Sequence, residues 1–310
     1  MTLRPHVLKM LEQTDSTQEP ETVQDLIKSR GKLLQHLPPL ELRPIVDKTE
    51  DFSIPGPGGE IPVRIYTPRS AGQLPLFVYF HGGGFVAGSI EEFDHFCRWL
   101  ATTTRAKVIS VGYRLAPEHP FPAGLEDCFA AVKWVEQHRA ELNGKPGQLI
   151  VGGESAGGNL AAAVALLARD QEAPAIAKQV LIYPVTDCFS LTAPCPYSSY
   201  VQFASGYRLT ARSMDLFWSA YLTKKEDAQS PFASPIRAQD LSGLPPTLVL
   251  TAEYDILRDE GESYAQRLSE AGVPVLMKRI GGTIHGFALV FTEQQDGREA
   301  LDAIAAFVGD

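Results

Sequence analysis

The chain has 310 residues, of which 44% are hydrophobic and 21% are charged, a composition typical of a globular protein with a large buried core. Its formal net charge of -9 at pH 7 excludes a basic surface for nucleic acid or for anionic lipid. The longest unbroken apolar run, residues 160–168, is about half as long as a membrane-spanning helix requires.

Residues 1–45 are predicted to form one or two amphipathic helices ahead of the main domain. Apolar residues recur there at helical spacing. The positions on the shared face are Val23, Leu26, Ile27, Leu33 and Leu34. The N-terminus lacks the apolar stretch of a signal peptide, and we therefore expect a cytoplasmic protein.

After a hairpin predicted at 50–67, short β-rich runs alternate with amphipathic helical stretches. The predicted strands lie at 76–80, 107–113, 148–153, 179–184, 247–253 and 275–280. The predicted helices lie near 92–104, 124–142, 156–169, 258–271 and 296–308. Because these strands are apolar throughout, the alternation predicts a mostly parallel sheet covered by helices on both faces.

The stretch from about 186 to 243 interrupts this alternation with prolines, aromatic residues and one helical segment near 210–221. We interpret it as an insertion that joins the N-terminal helices as a lid. The four cysteines contain no C-x-x-C pair, so we predict free thiols rather than a zinc site or a disulfide framework. A bridge between Cys188 and Cys195 stays open as an alternative.

Ser155 stands among residues with almost no side chain, in the sequence Gly-Glu-Ser-Ala-Gly at 153–157. A strand that turns directly into a helix holds such a serine in a strained turn with its hydroxyl projecting, and small neighbours let the two backbones approach. The serine then lies beyond the carboxyl end of a parallel strand, where ligands bind in such sheets. By itself the pattern also fits a glycine-rich junction that cradles a phosphate.

A nucleophilic serine needs a base and an orienting acid. His285 follows the last predicted strand, and the order serine, acid, histidine is the one that this kind of sheet requires. Asp255, just after the strand at 247–253, is the predicted acid. Asp187 and Asp259 are alternatives, since a triad acid has only to reach the base, although Asp259 also suits a helix N-terminus.

The tetrahedral oxyanion needs hydrogen-bond donors already in place. The glycines that follow the strand at 76–80 have no side chains to block an ester. Their amides, together with that of the residue after the nucleophile, are predicted to converge on one oxygen. The predicted donors are Gly82, Gly83, Gly84 and Ala156.

Two further polar residues are interpreted as structural. His81 has no companion cluster with metal-ligand spacing, so a loop role is favoured over metal binding. Glu118 is expected to form a salt bridge or a loop-fixing hydrogen bond, with Arg114 as the suggested partner.

Several separate motifs together resemble the hormone-sensitive-lipase-like (family IV) bacterial and archaeal carboxylesterases. These motifs are HGGGF at 81–85, YRLAPEH at 113–119, GESAGGNLAA at 153–162, D-x-L-x-D at 255–259 and IHGF at 284–287. The resemblance extends from about residue 50 to the C-terminus. It implies an α/β-hydrolase fold with a helical cap, and hydrolysis of short- to medium-chain carboxylic esters without a metal or an organic cofactor.

The same resemblance implies cap segments at 1–45 and 186–240 and a catalytic domain at 46–185 and 241–310. It implies Ser155 as nucleophile, His285 as base and Asp255 as acid. The residues expected to line the substrate pocket are Phe85, Phe203, Tyr207, Leu209 and Phe217. A small-molecule ester is the expected partner, without nucleic acid or membrane, and a homodimer is compatible with the pattern.

Three positions depart from the family pattern. Glu154 replaces the aspartate usual before the nucleophile, Ile256 stands where proline is common, and Gly112 replaces a frequent acidic residue. None of these changes removes a reacting group. Two other functions stay open on the same fold, namely a non-catalytic binding protein for small molecules and a peptidase or amidase.

Overall fold

The computed structural model describes residues 2–13, 19–192 and 194–309. The strands in these ranges are β1 (Lys48–Gly56), β2 (Gly59–Thr67), β3 (Leu74–Phe80), β4 (Lys107–Val111), β5 (Gly144–Glu154), β6 (Lys178–Ile182), β7 (Thr247–Tyr254) and β8 (Val275–Ile284). The helices are α1 (Pro5–Gln13), α2 (Val23–Lys28), α3 (Asp94–Thr104), α4 (Ala123–Gln137), α5 (Ala156–Asp170), α6 (Ser198–Gln202), α7 (Ala211–Tyr221), α8 (Arg258–Glu270), α9 (Phe287–Val290) and α10 (Gln295–Gly309). Short 3-10 segments lie at Lys32–His36, Leu40–Leu42, Lys225–Gln229 and Pro235–Arg237.

The strands of the described residues form one sheet in the order β1-β2-β4-β3-β5-β6-β7-β8. β1 and β2 form the predicted hairpin, β2 pairs antiparallel with β4, and the other pairings are parallel. A mostly parallel sheet flanked by helices, as predicted, is therefore confirmed. Because β3, β5, β7 and β8 run in the same direction, their carboxyl ends meet at one edge of the sheet.

Alternate side chains of β3 enter two different hydrophobic cores. Phe77 and Tyr79 pack on the face covered by α3 and α10, whereas Val78 and Phe80 pack on the face covered by α4, α5 and α8. Successive side chains of a strand point to opposite faces. Apolar residues at every position of β3 are therefore the consequence of helices on both faces.

Two segments lie over the carboxyl edge of the sheet: α2 with the residues after it, and α7 of the insertion. These two helices contact each other, and Leu26 of α2 is buried in the main core. Arg30 attaches this N-terminal segment to the sheet loops, since its Nε donates to Val86 O at 2.7 Å and its Nη2 donates to Ala116 O at 2.9 Å.

The predicted division into a cap and a catalytic domain stays a prediction, and residues 14–18 of the first predicted cap segment lie outside the described residues. Across the described ranges no helix combines the length and the apolar character needed to cross a bilayer. The four cysteines are free thiols, with Cys188 buried and Cys195 exposed, so the alternative of a bridge between them is wrong.

Candidate active site

Ser155 occupies the turn between β5 and α5 with a backbone that only a strained residue adopts. Its φ is 56° and its ψ is -121°, in a region of backbone conformation that residues other than glycine rarely adopt. Its N–H donates to Ile182 O at 2.9 Å. A Cβ at Gly153 or at Gly157 would meet Phe80 O, so only glycine at these positions allows this approach of strand and helix.

His285 lies between Ser155 and Asp255 and contacts both side chains. Its Nε2 is 3.0 Å from Ser155 Oγ, and its Nδ1 is 2.7 Å from Asp255 Oδ2. Asp255 is 1% exposed, and its Oδ1 accepts a hydrogen bond from Leu257 N at 3.0 Å. With Nδ1 protonated toward the carboxylate, Nε2 is left with a lone pair directed at the serine hydroxyl.

The two alternative acids have other partners. Asp187 accepts from Arg237 Nε at 2.6 Å and from the Tyr197 hydroxyl at 3.0 Å. Asp259 accepts from Ser198 Oγ and from the main-chain N–H of Ser199. Of the three candidate carboxylates, Asp255 is the one in contact with the imidazole of His285.

The loop after β3 presents main-chain donors beside the serine. Gly83 and Gly84 have φ values of 106° and 61°, which glycine adopts without steric penalty. Within the described ranges, the N–H groups of Gly83, Gly84 and Ala156 have no protein acceptor, and Gly83 and Gly84 line the same cavity as Ser155. These three amides therefore remain available as hydrogen-bond donors.

Gly82 is a correction to the predicted set of donors. Its N–H already donates to Oε1 of Glu154, so this amide is not available to an oxyanion. Glu154 is buried, and burial raises its pKa to about 7 in spite of the opposing influence of His285 and of the Gly82 N–H. The replacement of aspartate by glutamate before the nucleophile thus places a carboxyl group against the glycine loop.

A cavity of about 610 Å³ opens onto Ser155 and His285. Of the predicted pocket residues, Leu209 and Phe217 line it. Side chains that the sequence reasoning missed come from the N-terminal segment, from the insertion and from α9. These additional lining residues include Leu26, Leu33, Arg208, Ser213 and Leu289. A motif search offered no signal for them, because they belong to segments that approach the serine only in the folded chain.

Phe85, Phe203 and Tyr207 do not line this cavity, contrary to prediction. Phe85 stacks on Tyr221 with ring centroids 3.9 Å apart. Phe203 and Tyr207 pack against each other and against Tyr254. Aromatic rings bury large apolar areas against one another, and packing rather than ligand contact accounts for these three positions.

The two residues interpreted as structural have structural contacts, with one change of partner. His81 stacks on Tyr113 with centroids 4.4 Å apart, and burial lowers its pKa to about 4. Glu118 pairs with Arg30 rather than with Arg114, at 2.7 Å. Arg114 instead pairs with Asp127 at 2.8 Å. In the part of the chain that the structure describes, no group of three or more His, Cys, Asp or Glu side chains is arranged to hold a metal ion.

Comparison with known proteins places this geometry in a family. A sequence profile described as the alpha/beta hydrolase fold matches residues 77–289. The carboxylic ester hydrolase LipN of Mycobacterium tuberculosis is 45% identical over 252 residues, which are 79% of this chain and 65% of LipN. An arylesterase of Saccharolobus solfataricus is 41% identical over 243 residues, 78% of each chain.

A solved structure extends the similarity over nearly the whole chain. The hyperthermophilic esterase of the archaeon Pyrobaculum calidifontis superposes with a TM-score of 0.87 at 45% identity, covering 99% of this chain and 98% of that esterase. The described sheet and its helices therefore have a counterpart in a solved esterase.

Proposed function

The chain belongs to the hormone-sensitive-lipase-like (family IV) carboxylesterases of the alpha/beta hydrolase fold and is a carboxylic ester hydrolase, and we propose that it cleaves short- to medium-chain esters through an acyl-enzyme on Ser155. The observation that carries this proposal is the contact of His285 with both Ser155 Oγ, at 3.0 Å, and Asp255 Oδ2, at 2.7 Å.

In the proposed acylation step, His285 Nε2 takes the proton of Ser155 as Oγ attacks the ester carbonyl carbon. The carbonyl oxygen becomes an oxyanion that accepts hydrogen bonds from the amides of Gly83, Gly84 and Ala156. When the tetrahedral intermediate collapses, the C–O bond to the alcohol breaks, and the imidazolium gives its proton to the departing alcohol oxygen. The carboxylate of Asp255 holds the ring in the required tautomer throughout.

Deacylation repeats the same chemistry with water as the nucleophile. His285 takes a proton from water, the hydroxide attacks the acyl carbon, and the oxyanion forms again beside the same amides. Collapse releases the carboxylic acid and returns the proton to Ser155. One amide of an oxyanion hole contributes on the order of 3 kcal/mol to lowering the barrier.

The range of acyl chains is proposed from the cleft. A cavity of about 610 Å³ with apolar walls such as Leu209, Phe217 and Leu289 suits esters of modest size. A series of p-nitrophenyl esters from acetate to palmitate tests this range. We expect kcat/KM to be highest among the short- and medium-chain esters, and a maximum at palmitate would contradict the proposal.

A fluorophosphonate probe tests the nucleophile itself. We expect the probe to label the wild-type protein on the peptide that contains Ser155, and we expect the Ser155→Ala variant to remain unlabelled. The same preparations should hydrolyse p-nitrophenyl butyrate much faster than the corresponding anilide. Labelling at another serine, or faster turnover of the anilide, would count against the proposed serine esterase.

A further inference from the structure

Arg208 brings a positive charge into the cleft beside the proposed base. Its Nη1 donates to the carbonyl oxygen of His285 at 3.3 Å, and it lines the cavity that contains Ser155. A Cβ at Gly286 would overlap the guanidinium, so glycine there permits its close approach. The residue is solvent-exposed, although surrounding protein lowers its pKa through desolvation. The guanidinium therefore lies at the wall of the cavity with access to solvent.

The backbone directs this side chain into the cleft. Arg208 has a φ of 74°, which is unfavourable for a residue with a side chain. The N–H of Leu209 donates to Tyr207 O at 3.0 Å across it, as in a tight three-residue turn with positive φ, which is rare and strained. Ring packing at the first residue of the turn holds it in place, since Tyr207 contacts both Phe203 and Tyr254.

No carboxylate of the described residues forms an ion pair with Arg208, and the His285 carbonyl is its one protein acceptor there. Two of the acidic residues that line the cavity, Glu92 and Glu154, already accept hydrogen bonds from other groups. Glu92, 5% exposed, accepts from Leu33 N and Ser89 Oγ. Glu154, 3% exposed, accepts from Gly82 N. The other charged residues that line the cleft are Glu19, Asp25 and Lys32, of which Asp25 pairs with Lys28 at 3.2 Å. Arg208 is the cation of this lining that contacts His285, and its remaining donors are free for a ligand.

The guanidinium can be reached from two sides. A second cavity of about 620 Å³ adjoins the cleft and shares Leu33, Glu92, Arg208 and Leu289 with it. There is therefore open space on both sides of Arg208 for a group carried by an ester in the cleft. A planar guanidinium with several free donors matches the two oxygens of a carboxylate.

We propose that Arg208 is a specificity-determining residue that binds a carboxylate carried by the ester substrate. The carboxylate belongs either to the acyl half, as in a monoester of a dicarboxylic acid, or to the alcohol half, as in an ester of a hydroxy acid. This inference rests on the proposed function, since it assumes that the ester reacts at Ser155.

The experiment compares matched esters with and without the carboxylate. The acyl arm measures kcat/KM for mono-p-nitrophenyl glutarate against p-nitrophenyl valerate. The alcohol arm uses the butyrate ester of 3-hydroxypropanoate against butyl butyrate, followed by acid release. The proteins are the wild type, Arg208→Gln, Arg208→Lys and Arg212→Gln. Arg212 is exposed on α7 and does not line the cleft, so its variant removes an equal charge from the same insertion.

In at least one arm we expect Arg208→Gln to lower the ratio of kcat/KM for the carboxylate ester to kcat/KM for the neutral ester by about 10- to 100-fold, because a charge-assisted hydrogen bond is lost. Arg208→Lys should lose less of the ratio, and Arg212→Gln should change it less than about 2-fold. The arm that responds identifies which half carries the carboxylate.

Two results would overturn the inference. One is an equal loss of kcat/KM with both members of each pair in Arg208→Gln, because that pattern indicates a residue that only positions His285. The other is a kcat/KM that stays at the wild-type value for all four esters in Arg208→Gln. Turnover of the neutral esters by the wild type keeps this test separate from the proposed function, which fails only if those esters are not hydrolysed at Ser155.

Discussion

The main-chain N–H of Gly82 donates a hydrogen bond to Oε1 of Glu154, so the residue before the proposed nucleophile holds the loop that carries the proposed oxyanion donors. The bond joins the end of β3 to the end of β5, two neighbouring strands. A Cβ at Gly82 would overlap the same carboxyl group. The longer side chain of glutamate therefore fills the space that glycine leaves, and the loop and the elbow are braced against each other.

The pKa of Glu154, raised by burial to about 7 from 4.5, predicts a pH-dependent stability. Between these values the unfolded chain has lost the proton and the folded chain retains it. The stability that the protonated carboxyl contributes is therefore complete below about pH 4.5 and is lost as the pH rises through about 7. Glu154→Gln should remove the contribution of about one proton to the slope of the unfolding free energy against pH across this window. Urea denaturation at several pH values measures this slope.

Glu154→Asp serves as the matched control, because it keeps an ionisable carboxyl at the same buried position. We expect this variant to retain a pH dependence that the amide loses. Identical slopes for the wild type and the Gln variant would mean that the carboxyl does not titrate in this window.

Replacement of Asp255, the acid beside His285, should affect catalysis far more than replacement of Asp187, one of the two alternative acids. Asp255→Asn should lower kcat/KM for p-nitrophenyl butyrate by about 10³- to 10⁴-fold, since the amide favours the wrong imidazole tautomer. Asp187→Asn should stay within about threefold of wild type while lowering the unfolding free energy by about 2 kcal/mol, because Arg237 loses its carboxylate partner. The reverse ranking of the two activities would reject Asp255.

The close approach of Gly84 to Phe217 predicts that substitutions at these two positions do not act independently. A Cβ at Gly84 would overlap the ring of Phe217, and the φ of 61° disfavours alanine by about 1–2 kcal/mol. We expect Gly84→Ala to lower kcat by about 10²- to 10³-fold through displacement of the oxyanion donor. In the double variant with Phe217→Ala, the removed ring makes room, so the two losses should fall short of additivity by about 1 kcal/mol. Full additivity in a kinetic double-mutant cycle would show that the ring does not limit the loop.

Arg30 should stabilise the attachment of the N-terminal segment through its bonds to main-chain carbonyls more than through its ion pair. Arg30→Ala loses the bonds to Val86 O and Ala116 O, and we expect a loss of about 2 kcal/mol in the unfolding free energy. Glu118→Ala removes only an ion pair whose carboxylate is 50% exposed, with an expected loss below about 1 kcal/mol. Urea denaturation compares the two variants, and equal losses would assign the effect to the ion pair.

Much of the fold followed from local patterns. The strands predicted at 76–80 and 247–253 occur at Leu74–Phe80 and Thr247–Tyr254. Short apolar β-rich runs bounded by turns bury their side chains as strands of a sheet that is covered on both faces. The prediction of free thiols was likewise correct. The ends of elements were less accurate, since β8 continues to Ile284 beyond its predicted end at 280.

The sequence by itself determined the order of reactive groups along the chain and the glycines around Ser155, because steric crowding at a strand-to-helix turn depends on neighbours in sequence. Only the tertiary structure decided which groups meet. It turned the Gly82 amide toward Glu154, paired Glu118 with Arg30, and placed Phe85 against Tyr221 instead of in the cleft. It also brought Arg208 beside His285. These contacts join residues far apart in sequence, and their partners are set by how helices and loops pack over the sheet edge, which the spacing of residues along the chain does not encode.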